Sequence, residues 1–371
     1  MELKTYRLDE VTVNFDKKRV PLSGAQREKR QGKYRYYGAQ GVIDYIDDYI
    51  FDGTYLLIAE DGENLKSKKQ NIAQIATGQF WVNNHAHIVQ GNALCDTRFL
   101  CYLLNSMDLS GYVTGSAQPK LSQANLNAVT ISLPELLVQK KIADYLYTID
   151  RKIGTNIQIN DNLQQQAAAL FANFCDHAET EVGFTEIIQI LGGGTPKTGE
   201  SSYWNGNVLF FTPKDVGSPY TLSTEKTITE EGLAHCNSRL YPVNTVFVTA
   251  RGTVGKVGLP GVPMAMNQSC YALVGKETHQ LLVYFYTLKA VDRLKHKASG
   301  AVFDAITTRD FESEILMRLS DEDAQGFLDV AEPIYQAVLS NSIENLRLAA
   351  LRDSLLPKLM SGEIDVSGIQ L

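Results

Sequence analysis

Pro134-Glu135-Leu136-Leu137-Val138-Gln139-Lys140-Lys141-Ile142-Ala143 opens a run that reaches His177 with no further proline and one glycine, Gly154. Along it, apolar residues recur at Ile142, Leu146, Ile149, Ile153, Leu163, Ala167, Leu170 and Phe174. Steps of four and three place them on one helix face as a heptad-like stripe. Asn156 and Asn160 interrupt the stripe. Polar residues at such positions fix register and partner rather than add stability. At ~1.5 Å per residue, about forty residues make a rod roughly 60 Å long. One narrow stripe cannot bury itself, so the rod needs a partner.

Residues Ser320 to Met360 supply a similar pattern through Leu328, Tyr335, Leu339, Leu346, Ala349, Leu356 and Met360. Shifted back by 186 positions, Leu328 falls on Ile142, Tyr335 on Ile149, Leu339 on Ile153, Leu346 on Asn160, Leu356 on Leu170 and Met360 on Phe174. Glu332 and Asp353 fall where Leu146 and Ala167 stand, so the repeat is imperfect. Pro333 is expected near a helix start, and Pro357 is expected to end or bend the helix. The expectation is two long helices packed as an antiparallel coiled coil, each following a globular domain. In the competing arrangement each helix packs on its own domain.

The globular stretches repeat as well. In the first, Tyr36-Tyr37-Gly38-Ala39-Gln40-Gly41 reads as a glycine-punctuated turn and Tyr55 to Ala59 as a buried strand. The turn Glu60-Asp61-Gly62 follows, then a strand over Phe80 to Val89 and a helix over Arg98 to Met107. In the second, Tyr241 to Val248 is the strand and Thr249 to Gly258 the loop after it. Met266 to Leu273 matches Val82 to Val89 at an offset of 184, Ile306-Thr307 matches Leu121-Ser122 at 185, and Ser299-Gly300 matches Ser110-Gly111 at 189. Drifting offsets in a preserved order indicate one fold used twice with different loop lengths. The fold class expected is α+β: two duplicated mixed α/β domains separated by two long helices. The boundaries are 1–133, 134–178, 179–319 and 320–371. Two related modules on a stiff spacer suit a ligand read at two points, and linear DNA is such a ligand.

The 371 residues are 44% hydrophobic and 21% charged, an ordinary composition for a soluble protein. No apolar run approaches a membrane span, and the N-terminus does not read as a signal peptide. Five cysteines without CxxC spacing suit reduced thiols and a cytoplasmic location. The net charge of −7 alone argues against nucleic acid, but the charge is unevenly placed. Lys17 to Arg35 holds eight basic residues and one acidic, whereas Asp44 to Glu63 holds seven acidic residues and no basic one. A basic run of this kind is compatible with phosphate contact or with a solvated surface.

Gly193-Gly194-Thr195-Pro196-Lys197-Thr198 followed by Tyr203-Trp204-Asn205-Gly206 resembles the opening of a target-recognition domain in the specificity (S) subunit of type I restriction-modification enzymes. Ala250 to Gly258, Met266-Asn267-Gln268-Ser269 and Leu356 to Ile364 resemble the same family, as do Tyr36 to Tyr45 and Ala59-Glu60-Asp61-Gly62. The first domain departs by lacking a Gly-Gly-Thr-Pro opening. The resemblance implies a non-catalytic subunit. Each domain would read half of a bipartite double-stranded DNA target, and the helices would set the spacing and dock two methyltransferase subunits. Restriction subunits would join the larger complex, and S-adenosylmethionine, ATP and Mg would bind on partners rather than here.

The residues agree about the missing chemistry. No Asn-Pro-Pro-Tyr or Asp-Pro-Pro-Tyr is present. The run Gly192 to Gly199 has phosphate-loop glycine spacing from Gly194, but Glu200 stands where the lysine belongs. His85 and His87 would share a strand face, yet lack further ligands for zinc. Base edges call for forked or amide side chains. The base-contact candidates are Gln40, Asn84 and His85 in the first domain and Arg251, Asn267 and Gln268 in the second. Phosphate candidates are Lys33, Lys66, Lys68, Lys69, Lys120, Lys197, Lys214, Lys256 and Lys297, with the hydroxyls of Ser122 and Thr307. The alternatives are a duplicated scaffold that does not bind DNA, and part of a single-chain fused methyltransferase or nuclease system.

Overall fold

The computed structural model describes residues 2–67, 70–115, 118–297, 305–366 and 368. Lys68, Lys69 and the Ser299-Gly300 turn therefore lie outside the described residues. The chain divides into two units, one formed by residues 1–152 with 348–371 and the other by residues 153–347.

The two long helices are Leu136–Asp176 and Asp321–Ser361. Each contributes one end to each unit. In the first unit Val138, Ile142, Ala143 and Leu146 enter a core that also takes Leu359 and Val366 from the chain's far end. In the second unit Ala167, Phe171 and Cys175 enter a core with Phe327, Leu328, Ala331, Tyr335 and Val338. Each core thus buries one long helix's beginning and the other's end. The helices run antiparallel. Asn156 Nδ2 donates to Asn345 Oδ1 at 2.9 Å and to Glu344 Oε2 at 2.7 Å. One turn on, Asn160 accepts from Asn341 Nδ2 at 2.8 Å and donates to Val338 O at 3.2 Å. In the first unit Arg352 Nη1 donates to Asp150 Oδ1 at 2.7 Å, and Tyr102 donates its hydroxyl to Asp150 Oδ2 at 2.5 Å.

Three details differ from the pattern read in the sequence. Past Asn160 the most buried line is Ala167, Phe171 and Cys175, with Leu170 and Phe174 only partly covered. Leu346 is 49% exposed, because its neighbour Asn345 faces Asn156 and one residue of helix turns the leucine away. Pro333 does not mark a helix start, since the helix begins twelve residues earlier at Asp321, and Pro357 does not end it. A mid-helix proline removes one backbone bond. Around Pro333 the helix is held by the buried side chains of Ala331 and Tyr335.

The globular parts share one plan. In the first, the six-stranded sheet runs Thr12–Asn14, Ala86–Gly91, Phe51–Ala59, Ala73–Val82, Gln31–Gly38, Gly41–Ile46. In the second, a five-stranded sheet runs Ile188–Gly192, Cys270–Gly275, Val246–Thr249, Val257–Pro260, Tyr220–Thr221. A three-stranded sheet, Lys226–Ile228, Trp204–Phe211, Met264–Met266, completes it. The parallel pair Tyr36↔Trp81, Tyr37↔Val82 returns as Phe210↔Ala265, Phe211↔Met266. The antiparallel edge pair Lys4–Arg7 with Thr130–Leu133 returns as Thr180–Gly183 with Ile315–Arg318. The continuous strand Ala73–Val82 has its counterpart broken at Gly261-Val262-Pro263, where a proline cannot donate to the ladder. That break divides the second sheet in two.

Both domains also break a strand that the sequence suggested was continuous. Asn83 Oδ1 accepts from His85 N at 2.8 Å, and Asn267 Oδ1 accepts from Ser269 N at 3.1 Å. These asparagine turns end one strand and start the next. His85 therefore sits in the turn, while His87 lies two residues on in the following strand with 1% exposure. The two histidines share no strand face. Among the described residues no helix is long and apolar enough to cross a membrane.

Leu146→Ala is expected to cost roughly 2–5 kcal/mol and Phe171→Ala roughly 3–5 kcal/mol in urea unfolding of the purified chain. Leu346→Ala should change stability by no more than about 0.5 kcal/mol. Comparable losses at Leu146 and Leu346 would contradict this account of the stripe. Acid should also weaken the fold. Burial pushes the carboxyls of Asp16 and Glu314 up. For Asp16 the bonds from His87 and the Ile88 amide outweigh this, as do those from Lys297 and Arg293 for Glu314, so both sit below the ordinary carboxylate range. Their stabilisation is present above the unfolded carboxylate pKa of about 4 and is lost as pH falls through the depressed folded values. Unfolding midpoints measured from about pH 6 downward should fall, and less steeply in Asp16→Asn.

Candidate nucleic-acid interface

Both domains gather three loops at the strand ends, tied by the same backbone bonds. In the first, Glu60 N donates to His85 O at 2.9 Å, Leu121 N to Glu60 O at 2.8 Å, and Asn83 N to Tyr37 O at 3.0 Å. In the second, Ala250 N donates to Ser269 O at 2.8 Å, Ile306 N to Ala250 O at 3.0 Å, and Asn267 N to Phe211 O at 2.9 Å. These bonds pair Glu60-Asp61-Gly62 with Ala250-Arg251-Gly252, and Asn83-Asn84-His85 with Asn267-Gln268-Ser269. The turn glycines Gly62 and Gly252 have φ of +129° and +83°, the region only glycine enters freely.

In the first domain this edge collects Gln40, Asn84, His85 and Lys120. A Cβ placed on Gly62 would lie 3.5 Å from Gln40 Nε2, and one on Gly38 would lie 3.6 Å from Asn83 Nδ2. Asn84 and His85 are exposed. Lys120 Nζ lies 3.3 Å from Glu60 Oε1. Lys66 reaches the adjoining loop, donating to Gly115 O at 2.9 Å. Ser122 stands beside Leu121, but its hydroxyl accepts from Asn125 N at 3.2 Å as a helix cap. Lys33 is elsewhere: it lies over the Tyr34 ring, five residues back along the strand from Gly38, about 16 Å away.

In the second domain the edge collects Arg251, Lys256, Asn267, Gln268, Lys197 and Lys214. Thr195 Oγ1 bonds Gln268 Oε1, which joins the glycine run to the asparagine turn. Thr253 Oγ1 donates to Pro213 O at 3.0 Å, bringing in the Lys214 loop. Arg251, Lys256, Lys197 and Lys214 are exposed. The glycine run is filled by protein rather than phosphate. A Cβ on Gly193 would meet Asn267 O at 2.0 Å, and one on Gly194 would meet Asn237 N at 2.5 Å. Thr307 donates to Asp310 Oδ2 at 2.7 Å as a helix cap. Lys297 belongs to the fold: with Arg293 it holds the buried carboxylate of Glu314, at 2.5 and 2.8 Å.

Three arginines of the first domain's basic run pair with carboxylates, while Lys17, Lys18, Lys29, Lys33 and Arg35 stay exposed. Arg27 pairs with Asp44 at 2.9 Å, Arg30 with Asp47 at 2.9 Å, and Arg19 with Glu60 at 2.7 Å. The hairpin Gln31–Gly38 with Gly41–Ile46 folds the basic and acidic stretches onto each other. Beneath the loops Arg19 also donates to Asn84 O at 3.4 Å and Ala86 O at 3.0 Å. His87 sets Nδ1 2.6 Å from Asp16 Oδ2 and Nε2 2.8 Å from Leu121 O. Sequence reading missed Arg19, Glu60, Asp61 and Thr195. The matched Asp61-Gly62 and Arg251-Gly252 turns were the signal available.

Burial pushes the thiols of Cys95, Cys101 and Cys270 up to about 12, which leaves them protonated and inert. Among the described residues no group of three or more His, Cys, Asp or Glu is placed to hold a metal ion.

The family model for the type I restriction modification DNA specificity domain matches residues 1–165 and again 180–318. The chain is 36% identical over 145 residues to a candidate type I restriction enzyme specificity subunit of Haemophilus influenzae, a match covering 39% of this chain and 37% of that protein. It is 22% identical over 412 aligned positions to the HindI specificity subunit of the same organism, covering 88% and 87%. The S subunit of a type I restriction-modification system from M. genitalium has the same fold, with a TM-score of 0.64 at 15% identity and 96% of each chain covered. With two copies of the family's domain spanning most of its length, the chain belongs to the type I restriction-modification DNA specificity family.

Proposed function

We propose that this chain is the DNA-reading, non-catalytic subunit of a type I restriction-modification complex. Each loop edge reads one half of a bipartite double-stranded target. The paired helices set the separation of the half-sites and dock two methyltransferase subunits, and restriction subunits complete the assembly. S-adenosylmethionine, ATP and Mg bind on those partners, and the complex works in the cytoplasm.

The observation that carries this reading is convergence. Amide side chains meet at the same loop edge in both copies of the fold, joined by the His85 imidazole in the first and the Arg251 guanidinium in the second. Such groups discriminate bases in the major groove, where arginine pairs with guanine and amides with adenine. Lys66 and Lys120 in the first domain, and Lys197, Lys214 and Lys256 in the second, flank the edges as phosphate contacts. Arg19, Arg27 and Arg30 pair with carboxylates, which takes three of the eight cations of the basic run away from DNA. Tight binding therefore calls on the basic surface of partners.

The test uses the chain co-purified with its methyltransferase partners. Arg251→Ala should weaken discrimination at one base pair of one half-site by about 1–3 kcal/mol, leaving the other half-site unchanged in methylation-site sequencing. Lys256→Ala should weaken binding evenly across sequences and reduce the salt slope by about one. Methylation by this chain alone would overturn the non-catalytic assignment, and an even effect of Arg251→Ala would overturn its base contact.

A further inference from the structure

The two reading edges differ chemically at matched positions. Where the second domain carries Arg251 and Ser269, the first carries Asp61 and His85. His85 Nδ1 lies 2.7 Å from Asp61 Oδ2, with the imidazole half exposed and the carboxylate mostly covered. The backbone beneath the ring is fixed on both sides. His85 N donates to Asn83 Oδ1 at 2.8 Å, and His85 O accepts from Glu60 N at 2.9 Å. The nearby charges are engaged with one another: Glu60 takes Arg19 at 2.7 Å and Lys120 at 3.3 Å. His87, by contrast, is buried with both ring nitrogens committed. His85 thus presents a held ring whose Nε2 has no hydrogen-bond partner among the described residues.

We propose that Asp61 and His85 form a base-reading pair that selects an exocyclic amino group in the major groove. The proposal rests on the first domain's loop edge facing DNA. In the neutral ring the carboxylate accepts the Nδ1 proton, which leaves the lone pair on Nε2. That nitrogen is then an acceptor at a defined place. In the major groove only adenine N6 and cytosine N4 offer donors, so the pair selects adenine or cytosine over guanine or thymine. A carboxylate here also disfavours phosphate as the ligand, because like charges repel. Asp61 is a positioning residue and His85 the contact. At the matched places the second domain carries Arg251, which only donates and suits guanine, and Ser269, whose hydroxyl both donates and accepts. The two half-sites are therefore expected to require opposite hydrogen-bonding character at the positions these turns read.

The experiment uses the complex with its methyltransferase partners at about pH 8.5. The half-site to scan is the one insensitive to Arg251→Ala. Each adenine in it is replaced in turn by purine, and each cytosine by 2-pyrimidinone, which removes only the amino group. With the native chain, one replacement should weaken binding about tenfold or more. With His85→Ala that same replacement should cost nothing further, while the other positions keep their sensitivity. His85→Gln, which restores an acceptor oxygen, should recover the dependence on the amino group. Asp61→Ala should diminish it at that position only. If the native complex binds its target specifically but no amino deletion couples to His85, the proposal fails while the reading of DNA by this edge stands. If neither half-site shows base-specific binding, the reading itself fails.

Discussion

The structure depends on the burial of two long apolar stripes that neither helix can cover alone. Each unit solves this in the same way, closing its core over the start of one long helix and the end of the other. Ile142 and Leu146 share a core with Leu359, and Phe171 shares one with Phe327 and Tyr335. The sequence had set two arrangements against each other, helix on helix and helix on its own domain. Each described unit contains both kinds of packing. Fixing long side chains costs conformational entropy, and it is recovered where aromatic rings meet edge to face, as Phe171 does with Phe327 at 5.2 Å between centroids. Between the apolar ends lies the asparagine layer of Asn156, Asn160, Asn341 and Asn345. It adds little net stability but permits one register, because a slip would leave several amides unpaired.

The period of the stripe and the order of the repeated landmarks were legible before any coordinates. They sufficed for two long helices and a duplicated α+β domain. The asparagine turns were not legible, because Val82 to Val89 and Met266 to Leu273 read as continuous β-prone runs. What breaks them is an Asx hydrogen bond, a local effect that alternation does not register. Pro333 misled for the opposite reason. A rule about proline in isolated helices was overridden by tertiary packing around Ala331 and Tyr335. Residue type and motif order marked the turns that carry Gln40, His85, Arg251 and Gln268, and the fold brings these turns to the strand ends. The roles of Lys297, Ser122 and Thr307 were not legible, since pairing with a buried carboxylate and helix capping depend on the fold.

Charge is the other quantity that sequence alone could not apportion. Eight basic residues in one short stretch left phosphate contact and a solvated surface both open, and the hairpin sets Arg27 and Arg30 against Asp44 and Asp47. Ion pairs at partly exposed positions contribute little to stability, typically about 0–1 kcal/mol. Their larger consequence is electrostatic: with that of Arg19 they neutralise three of the eight cations in this stretch. The first domain's edge carries an imidazole held by a carboxylate, and the second a guanidinium with no ion-pair partner among the described residues at the matched turn. Divergence after duplication has therefore acted on what the loops present, while the backbone bonds that hold those loops have stayed the same.

The central claim is that the helix pair is a spacer between two readers of one fold. Inserting four residues into each long helix, near Asn160 and opposite it near Asn341, adds about one turn, roughly 6 Å, to the pair. Sequencing of methylated sites made by the assembled complex should then return the same two half-sites separated by about one or two additional base pairs. Unchanged separation in a complex that still methylates would contradict the account.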